Sequence, residues 1–459
     1  MGEWLFNYQP VPATTWVYLS SLIMIALFFK FSRLWSVRNL DLLGLIMLAP
    51  GMLFVEYGRS ADPGSWYTEA GFIWMFVVGA LFMIRLFVDP SMVRRPLLEP
   101  NMTAGGLTFI GVALLVFLTA NVLTSDAEKL DLTGPEAAEQ LQARRAVPRH
   151  ESTLPTRGPG YPLLHWLPSI STQTLFPRPA DDVPEADSGH TAPRTDLNLV
   201  MTARLMAILA HLAVVAGIVL IGLKHFDNIK TGIAAAVLYL IMPCTAQNTG
   251  RVDHALMAAL LVWAVVAYRR PLLSGMILGL AIGTLYYPIF LLPLWCAFYW
   301  EKGLLRFIGG VAFALLALIG TLAFTASDFD AFVLHVRQML GFILPWNAEI
   351  QFHGFWAMDS IDSVYRLPVL VVFIVMMAAL AAWPARKNLG TLMSCSAAVM
   401  LGAQFWHAHD GGLYVAWYLP LLLLTVFRPN LEDRVALTVL GEPWIPKRFA
   451  HVVKVRDAA

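Results

Sequence analysis

Charge is what this chain lacks most. Of its 459 residues only 14% are Asp, Glu, Lys or Arg, against about a quarter in soluble domains, which excludes a solvated globular domain as the whole answer. The formal net charge of +1 leaves no basic excess to meet a phosphate backbone, so nucleic acid is not an expected partner. Cysteine is nearly absent too. Cys244, Cys296 and Cys395 each lie inside an apolar run, with no CxxC and no CxxCH. That excludes a disulfide framework and leaves three small buried hydrophobes. The N-terminal MGEWLFNYQP carries an acid, no basic leader and no small-residue cleavage site, so the first apolar run is expected to be retained as an anchor.

What is abundant is apolar. The chain is 58% hydrophobic with a mean hydropathy of +0.63, which predicts an all-α polytopic membrane protein. Runs near 13–30, 41–56, 70–88, 105–123, 198–223, 229–246, 254–268, 305–325, 367–383, 390–406 and 412–427 predict about eleven spanning helices. A further run, 271–300, is interrupted by Pro288 and Pro293. It reads either as one long kinked helix or, preferably, as a hairpin turning near TLYYP, with arms of roughly 21 Å that need burial among other helices. Three regions result: an N-terminal three-helix region over 1–104, a module with large loops over 105–430, and a basic tail over 431–459.

Basic residues set the expected orientation. Lys30, Arg33, Arg38, Arg94, Arg95, Lys224, Lys230, Arg269 and Arg270 fall on one side, read as the cytoplasm. The hairpin keeps Lys302, Arg306, Arg386, Lys387 and the basic tail there as well. The N-terminus is then outside and the C-terminus cytoplasmic, in a plasma (inner) membrane. The outer face collects 124–197, 247–253, 326–366 and the short HAHDGG loop, so chemistry is expected there.

Within 124–197, TGPEAAEQLQARR reads as a helix capped by Thr133 with Pro135 in its first turn. GPGYPLLHWLPSI suits a segment pressed on the membrane surface, and 177–196 a loose loop. In 326–366, Phe329, Phe332, Val333, Val336 and Leu340 recur at helical spacing and predict an amphipathic helix in the interface. Trp346, Phe352, Phe355 and Trp356 read as interfacial aromatics or as a platform for a sugar ring or lipid headgroup.

Ionisable groups at spans are costly and therefore informative. Asp126 and Asp131 follow the fourth span in TSDAEKLD; capping of the next helix is the plain alternative. NTGRVDHALM packs Arg251, Asp253 and His254 at the mouth of a span, where Asp253 could equally be an N-cap. Arg204 lies two turns inside the fifth span, able to snorkel, to bind an anion or to pair with Asp126. His211 reads as a satisfied core histidine. Arg251, His335 and Arg337 are candidates for a phosphate, with interfacial solvation as the alternative. No cofactor is certain; a divalent metal at His407, His409 and Asp410 stands as an alternative to a polar loop.

The order of these features resembles the GT-C superfamily of integral-membrane glycosyltransferases, in its polyprenyl-phosphate-mannose flavour. The resemblance covers roughly 105–428 and runs through TSDAEKLD, GPGYPLLHW, ARLMAILAHLAVVAGIVLIGLKHF, NTGRVDHALM, RRPLLSGMILGLAIGTLYYPIFLLPL and GGLYVAWYLPLLLL. It implies an outward-facing active site in which an acid after the first span of the module is the general base. By position that is Asp126, with Asp131 or Glu128 as substitutes. The base deprotonates an acceptor hydroxyl on a glycan, lipid or protein, which attacks the anomeric carbon with inversion and releases polyprenyl phosphate. Arg204, Arg251 and Arg337 are the candidate cations for that leaving group. Asp253 matches an acid that orients substrate, and Tyr414 the late outer-loop tyrosine; His254, His335 and His353 complete the candidate substrate-binding set. Two departures stand out: Leu285 replaces a lysine that relatives often carry after the glycine-rich stretch, and the acids of TSDAEKLD are spaced rather than adjacent. A lipid or small-molecule transporter and a non-catalytic membrane subunit are the competing readings. A transporter predicts inverted repeats and a mid-membrane polar site, neither of which is visible.

Overall fold

The computed structural model describes residues 11–61, 66–92, 99–125, 127, 129–144, 157–175, 197–340 and 352–440. Among them the regular structure is helical throughout, with only isolated bridges besides, as the hydropathy predicts. The N-terminal region is α1 (Ala13–Phe28), α2 (Val37–Ala61) and α3 (Trp66–Val88), followed by α4 (Ala104–Thr124). Two helices of the first large loop come next, α5 (Lys129–Gln142) and α6 (Gly160–Leu175). The central bundle is α7 (Leu197–Lys224), α8 (Ile229–Ile241), the short α9 (Pro243–Gln247), α10 (Val252–Val266), α11 (Pro271–Thr284), α12 (Leu292–Tyr299) and α13 (Leu304–Thr325). After α14 (Phe329–Leu340) the chain finishes with α15 (Arg366–Ala382), α16 (Leu389–Trp406), α17 (Leu419–Phe427) and α18 (Ala436–Val439).

Seven helices among the described residues are long and apolar enough to cross a membrane, and five shorter apolar helices accompany them. This is an integral membrane protein. The most apolar window of α16 is 94% buried by protein, whereas those of α4 and α15 are only 17% and 11% buried; α16 is central, and the other two present Val112, Val116, Val371 and Val372 outward. The short helices α8, α10 and α11 have 13, 15 and 14 residues. They reach only about 20–23 Å along their axes, less than the hydrocarbon thickness of about 30 Å, and most of their residues are covered by neighbouring helices.

Run 271–300 is a hairpin. α11 ends at Thr284, a 3₁₀ turn spans Tyr287–Leu291, and α12 returns. The Tyr299 hydroxyl donates to the Tyr268 carbonyl at 2.6 Å, tying the end of α12 to the start of α11. Pro288 and Pro293 sit in first turns, where a missing N–H costs nothing. The glycines of this stretch are a packing seam. A Cβ on Gly275 would lie 2.1 Å from the Phe307 carbonyl oxygen, and one on Gly279 2.8 Å from that of Val311. Spaced four apart, they let α13 lie against α11 at backbone contact.

Three expectations need correction. The run 412–427 is not a span: only α17 is helical there, and its nine residues cover about 14 Å. Residues 412–418 instead form a loop and a 3₁₀ turn at one end of the bundle; α17 survives at this length because every one of its residues is buried. Thr133 does not start a helix. It lies inside α5 and donates to the Leu130 carbonyl at 2.8 Å. The GPGYPLLHW segment is not spread on a surface; α6 packs against α5, α7 and α11, with Tyr161 and His165 buried. Residues 1–10, 177–196 and 441–459, with the MGEWLFNYQP stretch and most of the tail, lie outside the described residues.

The helix ends sort onto two faces. The far face is basic and tied together: Arg428 pairs with Asp89 at 2.5 Å, Arg85 with Asp41 at 2.7 Å and Asp89 at 3.2 Å, and Arg434 with Asp227 at 3.1 Å. The opposite face gathers the end of α4, α5, α6, the α9–α10 loop, the hairpin turn, residues 352–358 and the 407–418 loop. The candidate site lies there.

Candidate active site

Four charged side chains from three chain segments meet at this face. Asp253 stands in the first turn of α10 with its side chain 1% exposed. It caps nothing; Arg251 is the residue preceding the helix and makes no side-chain cap. Instead the Asp253 carboxylate accepts from Arg157 Nη2 at 2.9 Å and from Arg251 Nε and Nη2 at 3.3 and 3.2 Å. The same Arg251 Nε lies 3.8 Å from Asp131 of α5. Arg157 also donates to the Thr133 hydroxyl and lies over the Tyr161 ring, 4.3 Å from its centroid. Burial alone would lower the Arg157 pKa; Tyr161 and Asp253 outweigh it and raise it. Two arginines and two aspartates so placed balance one another in charge, and Asp253 is hydrogen-bonded to both guanidiniums, the condition under which buried charge is tolerated.

Arg157 is held by an approach that only glycine allows. Gly158 N–H donates to the Thr284 carbonyl at 3.0 Å, and Arg157 bridges to Leu285. A Cβ on Gly158 would sit 2.2 Å from the Gly283 carbonyl oxygen. The RGPGY segment is thus seated on the hairpin turn, and Leu285 contributes backbone there rather than a cation.

An aromatic and imidazole layer adjoins the ionic cluster. Trp417 Nε1 donates to the Asp253 carbonyl at 3.3 Å, and its ring stacks on Tyr414 at 4.4 Å. Tyr414 lies 4.9 Å from His254 and 5.0 Å from His407, and Tyr287 stacks on His407 at 4.8 Å. His407 Nδ1 accepts the His409 N–H at 3.0 Å, which places its proton on Nε2. Burial pushes the His407 imidazole down to about 3 and that of His409 to about 4, so both are neutral at pH 7. His407 Nε2, His409 Nε2 and His254 Nδ1 are buried with no hydrogen-bond partner among the described residues. Buried orphan nitrogens next to stacked aromatic rings suit a ligand rich in hydroxyl groups.

The remaining candidates fall around this centre. His353 forms a bridge with His409, their rings 5.4 Å apart. Arg204 donates to the Ser125 carbonyl at the C-terminus of α4, at 2.7 Å, and makes no ion pair among the described residues. His335 is buried on α14, a helix whose Phe332 and Val336 pack near Leu141 and Leu322. No described contact joins either residue to Asp253. Asp126, Glu128, Trp346 and the Arg337 side chain lie outside the described residues. His211 is a satisfied core histidine, bonded to Tyr239 and Thr249. Trp356 and Phe355 form no open platform: Trp356 is buried and donates to Phe405, and Phe355 stacks on Phe76 at 3.9 Å. Asp410 pairs with Arg59 at 2.5 Å. No group of three or more His, Cys, Asp or Glu among the described residues is arranged to hold a metal ion.

Residues 191–405 match the family model described as glycosyltransferase family 87. The matched stretch contains Arg204, Arg251, Asp253, His254, His335 and His353; Asp131 and Arg157 precede it and Tyr414 follows it. No curated protein matches the chain. The family match makes this part of the chain similar to membrane glycosyltransferases and indicates that class of activity.

Proposed function

We propose that the protein transfers a sugar from a polyprenyl-phosphate donor to an acceptor hydroxyl at the outer membrane surface, with inversion at the anomeric carbon. The family match over 191–405, with the Arg251–Asp253 pair inside it, carries this reading. The basic far face is taken as cytoplasmic, which leaves the N-terminus outside and the C-terminus in the cytoplasm.

Asp126 is assigned as the base, with Asp131 as its substitute. A base removes the acceptor proton as oxygen attacks the anomeric carbon; the bond from that carbon to phosphate oxygen breaks, and the electron pair leaves with polyprenyl phosphate. Asp253 is unsuited to that task. Protonating it would forfeit charge-assisted bonds from two guanidiniums, so its role is to hold Arg157 and Arg251 in place. Arg204 is the best-placed cation for the leaving phosphate. Its guanidinium donates to the Ser125 carbonyl, and Ser125 directly precedes the assigned base in the chain.

The test is release of free polyprenyl phosphate by membranes holding the protein, supplied with a panel of polyprenyl-phosphate sugars and an acceptor extract. Asp126→Asn is expected to lower turnover by about 10²–10⁴-fold and Arg204→Met by about 10²-fold, both with the fold intact. A well-folded wild type that releases nothing from any donor would overturn the reading.

A further inference from the structure

A cleft of about 590 Å³ opens beside the ionic cluster, walled mostly by helices that precede the matched family region and closed on one side by residues 246–251 of that region. Trp16 of α1, Glu56 of α2 and Asn121 of α4 line it together with Gln247, Asn248 and Arg251. Its size is that of a small-molecule site, and Arg251 belongs to both the cleft and the cluster.

We propose that this cleft binds the acceptor, through a neutral sugar headgroup. The word acceptor rests on the transferase reading; the sugar chemistry rests on the cleft itself. Trp16 stacks on Phe117 at 5.1 Å with the planes 11° apart, a flat wall of the kind on which the C–H face of a pyranose packs. Trp16 is 8% exposed, and its Nε1 is a buried donor with no hydrogen-bond partner among the described residues, the kind of group a ligand hydroxyl would satisfy. In the same cleft, Gln247 donates to Glu56 at 2.9 Å and Asn121 to Thr249 at 3.2 Å, a carboxylate and amides suited to hydroxyl groups. An anionic ligand fits poorly. Both cations of the cleft are already matched, Arg59 by Asp410 at 2.5 Å and Arg251 by Asp253 at 3.2 Å. The helices that precede the family match would therefore choose the acceptor.

The test uses the full chain in lipid nanodiscs with hexyl α-mannoside and hexyl β-glucoside as probes, and hexyl phosphate and hexanol as competitors. Saturation-transfer NMR reads the sugar ring protons. Ser60 is an exposed residue on the rim, so Ser60→Trp fills the mouth without touching the core, and Ser60→Ala is its control. Ring-proton transfer is expected in wild type and Ser60→Ala, to fall at least fivefold in Ser60→Trp, and to survive equimolar hexyl phosphate or hexanol. Transfer unchanged in Ser60→Trp, or displaced by hexyl phosphate or hexanol, overturns the proposal. In the transfer assay, Ser60→Trp should raise the acceptor KM at least tenfold and leave the donor KM within twofold. An unchanged acceptor KM sinks the cleft assignment while the transferase reading stands. Blocked glycoside binding with no transfer from any donor sinks the transferase reading and leaves the sugar site.

Discussion

At the scale of single residues, the site turns on Arg157, which the sequence reading passed over. Arg251, Asp253 and His254 were legible because ionisable groups at the mouth of a span are conspicuous. Arg157 was not, because it stands one residue before the apolar stretch that drew attention, and its carboxylate partner is 96 residues away in the chain. An arginine directly before GPGY, with a tyrosine four residues on, was the available signal. Removing one partner from a buried ion pair leaves an uncompensated charge, at about 3–5 kcal/mol. Arg157→Met is therefore expected to destabilise the protein by about 3 kcal/mol, and Asp253→Leu by a similar amount. Together they should cost clearly less than the sum, because each removes the charge the other strands. Thermal unfolding of the four proteins in one detergent checks this; strict additivity would mean the two do not interact. The same physics bounds what the sequence tells of Arg204 and His335: polarity near a span was visible, but the direction in which each side chain turns was not.

At the scale of elements, hydropathy located the long helices and most of the short apolar ones, and failed where an apolar run is only partly helical. Helices such as α2, α3 and α7 declare themselves by length. The 412–427 run failed because an apolar sequence buried as loop, 3₁₀ turn and short helix has the same composition as a span. The hairpin over 271–300 was legible from its two prolines, whereas the role of the α11 glycines in packing against α13 was not. A direct contrast follows within that helix pair. Gly279→Leu must displace the Val311 backbone and should cost on the order of 2–3 kcal/mol, with a lower yield of folded protein. Gly320→Leu on α13 meets nothing within 4 Å and should leave the melting temperature within a degree or two. Equal loss in both variants would refute the seam.

At the scale of the whole molecule, the two faces differ in chemistry, and that difference decides what the protein can act on. The far face is basic and tied by buried ion pairs; the other holds the ionic cluster, the imidazoles and the cleft. Retained Lys and Arg mark the cytoplasmic side of short loops, so the site is expected to open outward. Four exposed positions test this: Ser60 and Asp328 on the site face, Glu301 and Asp433 on the far face. Each is replaced by cysteine in a chain lacking Cys244, Cys296 and Cys395. A membrane-impermeant maleimide added to intact cells should label Ser60→Cys and Asp328→Cys, and should reach Glu301→Cys and Asp433→Cys only after permeabilisation. The reverse pattern would turn the site to the cytoplasm, where water-soluble nucleotide sugars are available and a lipid-linked donor is not required. Labelling at Glu301→Cys therefore bears on more than topology: it selects between two classes of donor for the same buried cluster.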